Sequence, residues 1–108
     1  MAKPQSTRDL IMHVDNLDAA TAFYENVLGL TVFTRDPGIV GIETGALRLF
    51  LDPGPAPVGP VLEFLVDDVQ ATKAALVAAG CTVEQEDGSV PRCYIRDPQG
   101  LIFNIGKR

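Results

Sequence analysis

The chain has 108 residues, of which 46% are hydrophobic and 21% charged, and its formal net charge is −5 at pH 7. This length supports one compact domain, and the acidic balance argues against a nucleic-acid partner, since polyanion binding requires a basic surface. Apolar runs are short and the first residues do not resemble a secretion signal, so we expect no membrane association and a cytoplasmic location.

The first predicted elements are a strand and a helix. Residues 10–14 are typical of a strand, and Asp15 or Asn16 can cap the next helix by accepting a hydrogen bond from a free backbone N–H group. Apolar helix positions recur at three- and four-residue steps, and Gly29 is placed to end the helix in a left-handed turn. These positions are Leu17, Ala20, Phe23, Tyr24, Val27 and Leu28. Further strands are predicted over residues 30–34, 39–44 and 47–51.

A proline-rich segment follows. Residues 53–60 contain four of the eight prolines. Because proline lacks the backbone N–H that a sheet ladder needs, this segment is predicted to be a linker. The single domain of residues 1–108 is therefore divided into a module over residues 9–52 and a second module over residues 61–106.

The second module repeats the order of the first. A strand is predicted over residues 61–66, and Asp68 is placed to cap a helix that Gly80 closes. The remaining elements are strands near residues 82–86, 92–96 and 101–105, with turns at residues 87–88 and 97–100.

A duplicated sequence underlies this repeated order. Residues 14–22 align with residues 66–74, and a shift of one residue then aligns residues 29–32 with residues 80–83. A unit of half the chain that occurs twice predicts an α+β fold of two tandem βαβββ modules. Half-sheets too small to bury a core alone would form a cleft between mixed curved sheets, where a ligand is expected.

Three motifs resemble a known family. They are Phe23-Tyr24-Glu25-Asn26-Val27-Leu28-Gly29-Leu30, Val66-Asp67-Asp68-Val69 and Asp97-Pro98-Gln99-Gly100. Their order, spacing and duplication are similar to the vicinal oxygen chelate superfamily, which includes glyoxalase I, bleomycin resistance proteins and extradiol dioxygenases. The resemblance covers the chain from about residue 9. It implies a homodimer, and it leaves open whether the cleft forms within one chain or across two.

Strand parity predicts which side chains face the cleft. Alternate residues of a strand point to opposite faces, so the residues between those that pack on the helix face the ligand. The candidate ligand-binding residues are Asp9, His13, Arg48, Phe50, Glu63, Tyr94 and Asn104. Some of them could instead be solvated rim residues or internal ion pairs. For Arg48 and Glu63 the leading alternative is a mutual salt bridge.

Metal-dependent members of the superfamily bind one divalent ion through His and Glu residues. By position, the resemblance places those ligands at Asp9, Arg48 or Phe50, Val61 and Asn104, of which only Asp9 is a good ligand. The chain has one His, whereas an iron facial triad requires two. We therefore expect no metal and no other cofactor. A displaced site from Asp9, His13 and Glu63 is the alternative, and a general-base pairing of His13 with Asp9 is a further possibility.

No nucleophile motif supports covalent catalysis. Cys81 and Cys93 lie in predicted strands without a Cys-x-x-Cys spacing, so buried reduced thiols are expected. Two functions stay open. The first is metal-independent binding of a small molecule, a drug or a metabolite, similar to the bleomycin resistance type; the second is a metal-dependent lyase, isomerase or dioxygenase of the glyoxalase kind. A regulatory partner of another protein that has kept only the fold is a third reading.

Overall fold

The computed structural model describes residues 3–54, 59–87 and 92–108. It divides into two compact units: the first unit is Arg8–Val61, and the second unit is Met1–Thr7 with Leu62–Arg108. The centre of the predicted linker, residues 55–58, and Gly88 of a predicted turn lie outside the described residues.

The order strand, helix, three strands occurs twice, as predicted. The elements are β1 Gln5–His13, α1 Leu17–Ala22, β2 Thr31–Asp36, β3 Ile39–Glu43, β4 Arg48–Asp52, β5 Val61–Val66, α2 Val69–Ala78, β6 Thr82–Asp87, β7 Arg92–Arg96 and β8 Ile102–Lys107. This confirms the α+β class and the βαβββ repeat. No helix among the described residues is long and apolar enough to cross a membrane.

Each unit contains a mixed sheet with one parallel pair. In the first unit the strand order is β2-β3-β4-β1, with β1 and β4 parallel and the other pairs antiparallel. In the second unit the order is β5-β8-β7-β6, with β5 and β8 parallel. The sequence repeat is therefore also a repeat of strand pairing.

Both helices begin at the predicted caps. The Asn16 side chain accepts a hydrogen bond from the backbone N–H of Ala19 at 2.9 Å, and that of Asp68 accepts one from Ala71 at 3.0 Å. Each oxygen satisfies one of the N–H groups that a helix start leaves unpaired. Of the two alternatives for the first cap, the structure selects Asn16.

A π-helical turn continues α1 over Phe23–Val27. The backbone N–H of Leu28 donates to the carbonyl of Phe23 at 3.2 Å, which is a bond over five residues where an α-helix spans four. The sequence repeat shifts by one residue in this segment, so this stretch of the first unit has one residue more than the matching stretch of the second. The wider turn accommodates that residue.

Separate apolar cores lie under the two helices. In the first unit Val40, Ile42, Leu49 and Leu51 are buried, and Leu10, Met12 and Val14 pack against them as parity predicts. The core of the second unit contains Val66, Val69, Cys81, Cys93, Ile95 and Ile105. Both cysteines are free and buried, which confirms the prediction of buried reduced thiols.

Three leucines depart from the predicted packing. Leu47, Leu62 and Leu101 are 40%, 40% and 48% exposed, although parity assigns them to the helix side. Leu47 and Leu101 immediately precede β4 and β8, and Leu62 is the second residue of β5. Parity predicts the side of a sheet, but it does not say how far along a strand the helix covers that side.

Candidate functional site

In the first unit, the sheet face opposite α1 carries four of the candidate residues. The register of β1 and β4 places Asp9 beside Arg48 and Ile11 beside Phe50. Because side chains alternate along each strand, Asp9, His13, Arg48 and Phe50 share one face, and the residues between them pack against α1. Their shared face agrees with strand parity, and their role in ligand binding stays a prediction.

Arg48 and Asp9 form a bidentate ion pair. Nε of Arg48 donates to Oδ1 of Asp9 at 2.7 Å, and Nη2 donates to Oδ2 at 2.8 Å. The Asp9 side chain is 13% exposed and that of Arg48 is 39% exposed. Two parallel charge-assisted hydrogen bonds fix the guanidinium plane, a geometry that a lysine could not supply.

Two aromatic rings flank the same guanidinium. The Cζ atom of Arg48 lies 5.7 Å from the centroid of the Phe33 ring and 5.5 Å from that of Phe50. The rings themselves are 5.7 Å apart and nearly perpendicular, at 84°. Such distances are within the range of cation–π attraction and of edge-to-face ring contacts. We refer to Asp9, Phe33, Arg48 and Phe50 as the arginine cluster.

Phe33 lies at a β-bulge, which is why parity alone does not place it. The pairing of β2 with β3 shifts register between Val32 and Thr34, so the residue between them is re-aimed. A Cβ atom added to Gly41 would come 2.5 Å from Cζ of Phe33. A glycine within the β3 sequence is therefore the signal that could have indicated a close ring contact.

His13 contacts the chain that follows β4. Its Nδ1 atom lies 3.3 Å from the carbonyl oxygen of Gly54, and the residue is half-buried. If Nδ1 carries the proton, the ring donates to that carbonyl and leaves Nε2 as an acceptor. The suggested use of His13 with Asp9 as a general base stays a prediction.

In the second unit, the other three candidates form a row across three strands. Asn104 of β8 is the register partner of both Glu63 in β5 and Tyr94 in β7. Asn104 is 2% exposed and Tyr94 is 4% exposed. Strand register therefore brings these three candidates together, and their role in ligand binding stays a prediction.

Asn104 carries a buried acceptor without a donor. Its Oδ1 atom has no hydrogen-bond partner among the described residues. A buried polar atom left unsatisfied costs about 1–3 kcal/mol, so native chains retain such atoms for a reason. An N–H or O–H group of a ligand would satisfy it.

The residues at the superfamily's metal positions do not fit a divalent cation. Both oxygens of Asp9 accept from Arg48, whose own positive charge lies where a cation would be coordinated. Val61 is fully buried and has no donor atom. No group of three or more His, Cys, Asp or Glu side chains in the described part of the chain is arranged to hold a metal.

Two alternatives involve both units and stay predictions. They are the displaced metal site from Asp9, His13 and Glu63, and the salt bridge between Arg48 and Glu63. Within the first unit the partner of Arg48 is Asp9.

Comparison with known proteins gives one family. Residues 9–106 match the model of a glyoxalase-like domain. The chain is 36% identical, over 110 aligned positions, to the protein named "Putative glyoxylase CFP32" in Mycobacterium bovis and in Mycobacterium tuberculosis. The alignment covers 86% of this chain but only 40% of the relative, so the chain spans less than half of that protein's length.

Solved structures share the fold at low sequence identity. A hypothetical protein from Bacillus halodurans has a TM-score of 0.68 and 11% identity over 99% of this chain and 96% of its own. Homoprotocatechuate 2,3-dioxygenase from Brevibacterium fuscum, complexed with 3,4-dihydroxyphenylacetate, has a TM-score of 0.66 and 24% identity over 98% of this chain and 37% of its own. At sequence identities this low, a match shows a shared fold and does not show a shared activity.

Proposed function

We propose that this chain, which belongs to the glyoxalase-like domain family of the vicinal oxygen chelate superfamily, binds a small polar or amphipathic molecule without a metal ion. The observation that carries the proposal is the bidentate pair of Arg48 with Asp9 at 2.7 and 2.8 Å. This ion pair engages both carboxylate oxygens of Asp9, which is the one good metal ligand that the chain has at the superfamily's metal positions.

The arginine cluster suits such a ligand chemically. Phe33 and Phe50 offer ring surfaces, and Phe33 remains 42% exposed. Asp9 fixes the orientation of the guanidinium plane between the two rings. Binding a ligand there therefore costs little further conformational entropy of the Arg48 side chain. An apolar wall beside a few fixed polar groups is the usual composition of a small-molecule site.

Asn104, in the second unit, is a separate observation in favour of small-molecule binding. Its buried Oδ1 atom has no donor among the described residues, and a ligand that supplied one would be bound in strong preference to an analogue without it. The ligand is therefore expected to carry an N–H or O–H group. A cytoplasmic location is part of the proposal, and cell fractionation tests it.

The first experiment separates binding from metal chemistry. Chelator-treated protein is titrated with nickel, manganese, iron and zinc, and bound metal is measured at each step. The same preparation is then screened by thermal shift against antibiotics and small metabolites, because a ligand that binds only the folded state raises the melting temperature. We expect no stoichiometric metal and at least one stabilising compound.

Two variants make the screen specific. Arg48→Lys keeps the charge but loses the bidentate geometry, and should reduce the thermal shift of a true ligand. Arg35→Lys is the matched control, because Arg35 forms an exposed ion pair with Glu25 at 3.1 Å. Equal responses of the two variants would contradict a role for the arginine cluster.

The enzymatic alternative has its own signature. The name of the mycobacterial relative contains an activity, and the superfamily includes metal-dependent lyases, isomerases and dioxygenases. Stoichiometric metal that Asp9→Ala and Glu63→Ala both remove, together with turnover that the metal restores, would replace the binding proposal by this alternative.

A further inference from the structure

We propose that the second unit has a separate site, on the helix side of its sheet, for a monocyclic aromatic carboxylate. A pocket of about 280 Å³ lies between α2 and the strands β5 and β8, and we call it the α2 pocket. Its wall is almost wholly apolar and includes Phe64, Leu76, Phe103 and Ile105. This site is independent of the arginine cluster, which belongs to the first unit.

The volume of the α2 pocket sets the size of the ligand. Pockets for drug-sized molecules measure about 300–1,000 Å³, so this one, at about 280 Å³, fits a smaller compound. Phe64 and Phe103 form an edge-to-face pair with centroids 5.5 Å apart. A third ring can add to such a pair in the same edge-to-face geometry, which favours an aromatic ligand over an aliphatic one.

The internal repeat shows which residue the first unit has at the corresponding helix position. Continuing the alignment of residues 14–22 with residues 66–74 places Tyr24 opposite Leu76. The Tyr24 side chain packs against the core of the first unit. In the second unit, the partly buried apolar side chains packed against the core are Leu76 and Phe103. One unit thus brings its own aromatic ring to this helix position, whereas the other has an aliphatic residue beside an open pocket.

Positive charge at the pocket indicates the second feature of the ligand. Lys3 lines the pocket and is exposed to solvent, so its ammonium group can meet a carboxylate there. Nη2 of Arg108 donates to the carbonyl of Lys3 at 3.1 Å, while its Nε atom pairs with Asp67 at 2.7 Å. Because Arg108 is paired with Asp67, Lys3 is the cation at this pocket that a ligand carboxylate can meet.

The test uses 4-ethylbenzoate and its uncharged analogue 4-ethylbenzyl alcohol. Each is titrated into the full chain, and the carbon-13 methyl signals of Leu76 and Ile105 are followed by NMR. We expect both signals to shift in a saturable manner, with the benzoate binding about two- to fivefold more tightly, as one exposed ion pair allows. Lys3→Met should remove that preference, and Lys73→Met should keep it.

A filling substitution provides the decisive comparison. Leu76→Tyr introduces the residue of the first unit and should weaken benzoate binding at least about tenfold, since the new ring occupies the pocket. Val77→Tyr, at the neighbouring position that is 48% exposed, should leave binding unchanged. Unperturbed methyl signals with both probes would overturn the proposal. So would signals that shift with protein concentration alone, because a second copy would then occupy the pocket.

Discussion

At the scale of single residues, Arg48 is defined by geometry more than by charge. Its guanidinium makes two parallel bonds to Asp9 and contacts two rings. We expect Arg48→Lys to lower the free energy of unfolding by about 1–2 kcal/mol, because one charge-assisted hydrogen bond and the planar stacking are lost. Urea denaturation measures this.

The control for that prediction is Arg35→Lys. The exposed pair with Glu25 should contribute little, so its loss should change the unfolding free energy by less than about 0.5 kcal/mol. If the two variants are destabilised equally, the position of Arg48 between the rings is not what stabilises it.

Three glutamates should make the folded protein less stable at low pH. Arg8 lowers the pKa of Glu43, Arg96 lowers the pKa of Glu84, and Gln70 with Lys73 lowers the pKa of Glu86, in each case chiefly by hydrogen bonds to the carboxylate. A carboxyl group with a lowered pKa stabilises the folded state fully above its ordinary pKa of 4.5 and progressively less below it. Unfolding midpoints should therefore fall as the pH decreases below about 4.5.

A variant isolates one of these contributions. Glu84→Gln removes the titrating group that pairs with Arg96 at 2.9 Å, so its unfolding midpoint should depend less steeply on pH below 4.5 than that of the parent chain. Identical pH profiles would show that this ion pair does not contribute to acid sensitivity.

Sequence reasoning located most of these residues because strand alternation is a local rule. It assigned each of the candidate ligand-binding residues to the face of its strand that points away from the helix. The place of Phe33 depends on a bulge, and the partner of Arg48 depends on strand register. Both are set by pairing between distant segments, which alternation within one strand does not determine.

At the scale of elements, the π-helical turn should allow the first helix to lose one residue with little effect on stability. Deletion of the exposed Asn26 should convert the Phe23–Val27 turn into an α-helical one with both ends in place, so stability should change by less than about 1 kcal/mol. Deletion of Val77 from α2 should turn the residues after it by about 100° and destabilise the chain strongly. Thermal unfolding of the two deletion variants makes the comparison.

Element boundaries show where the sequence was informative. Caps and glycines marked both helix ends, and Gly29 and Gly80 have φ values of +70° and +102°, as left-handed turns require. The start of β1 was missed, because it begins at Gln5 rather than at residue 10. Polar residues occupy that stretch, and only pairing with another strand makes it a strand.

At the scale of the whole molecule, the duplication predicted the fold together with the order and spacing of the three motifs. Two copies of one short unit specify the same order of elements and the same strand pairing. The ligand does not follow from this, because the scaffold presents whatever side chains its strands carry, and related chains use the same positions differently. Ligand identity therefore needs the binding experiments.

The predicted homodimer is tested at this scale as well. Sedimentation equilibrium should give twice the chain mass of 11.6 kDa at micromolar concentration. The resemblance to the superfamily implies this dimer, and a two-fold axis would use the same surface of each chain twice. A mass of 11.6 kDa at every concentration would make the chain a monomer and end that proposal.

The π-helical turn also marks a one-residue difference between the two repeats. After a gene duplication, the gain or loss of a single codon inside a helix would ordinarily misplace every later residue of that copy. Here the one-residue difference within the helix lies at Phe23–Val27, and the strands of both repeats still pair in the same pattern. The two repeats thus differ in the length of their helix and keep the same strand pairing.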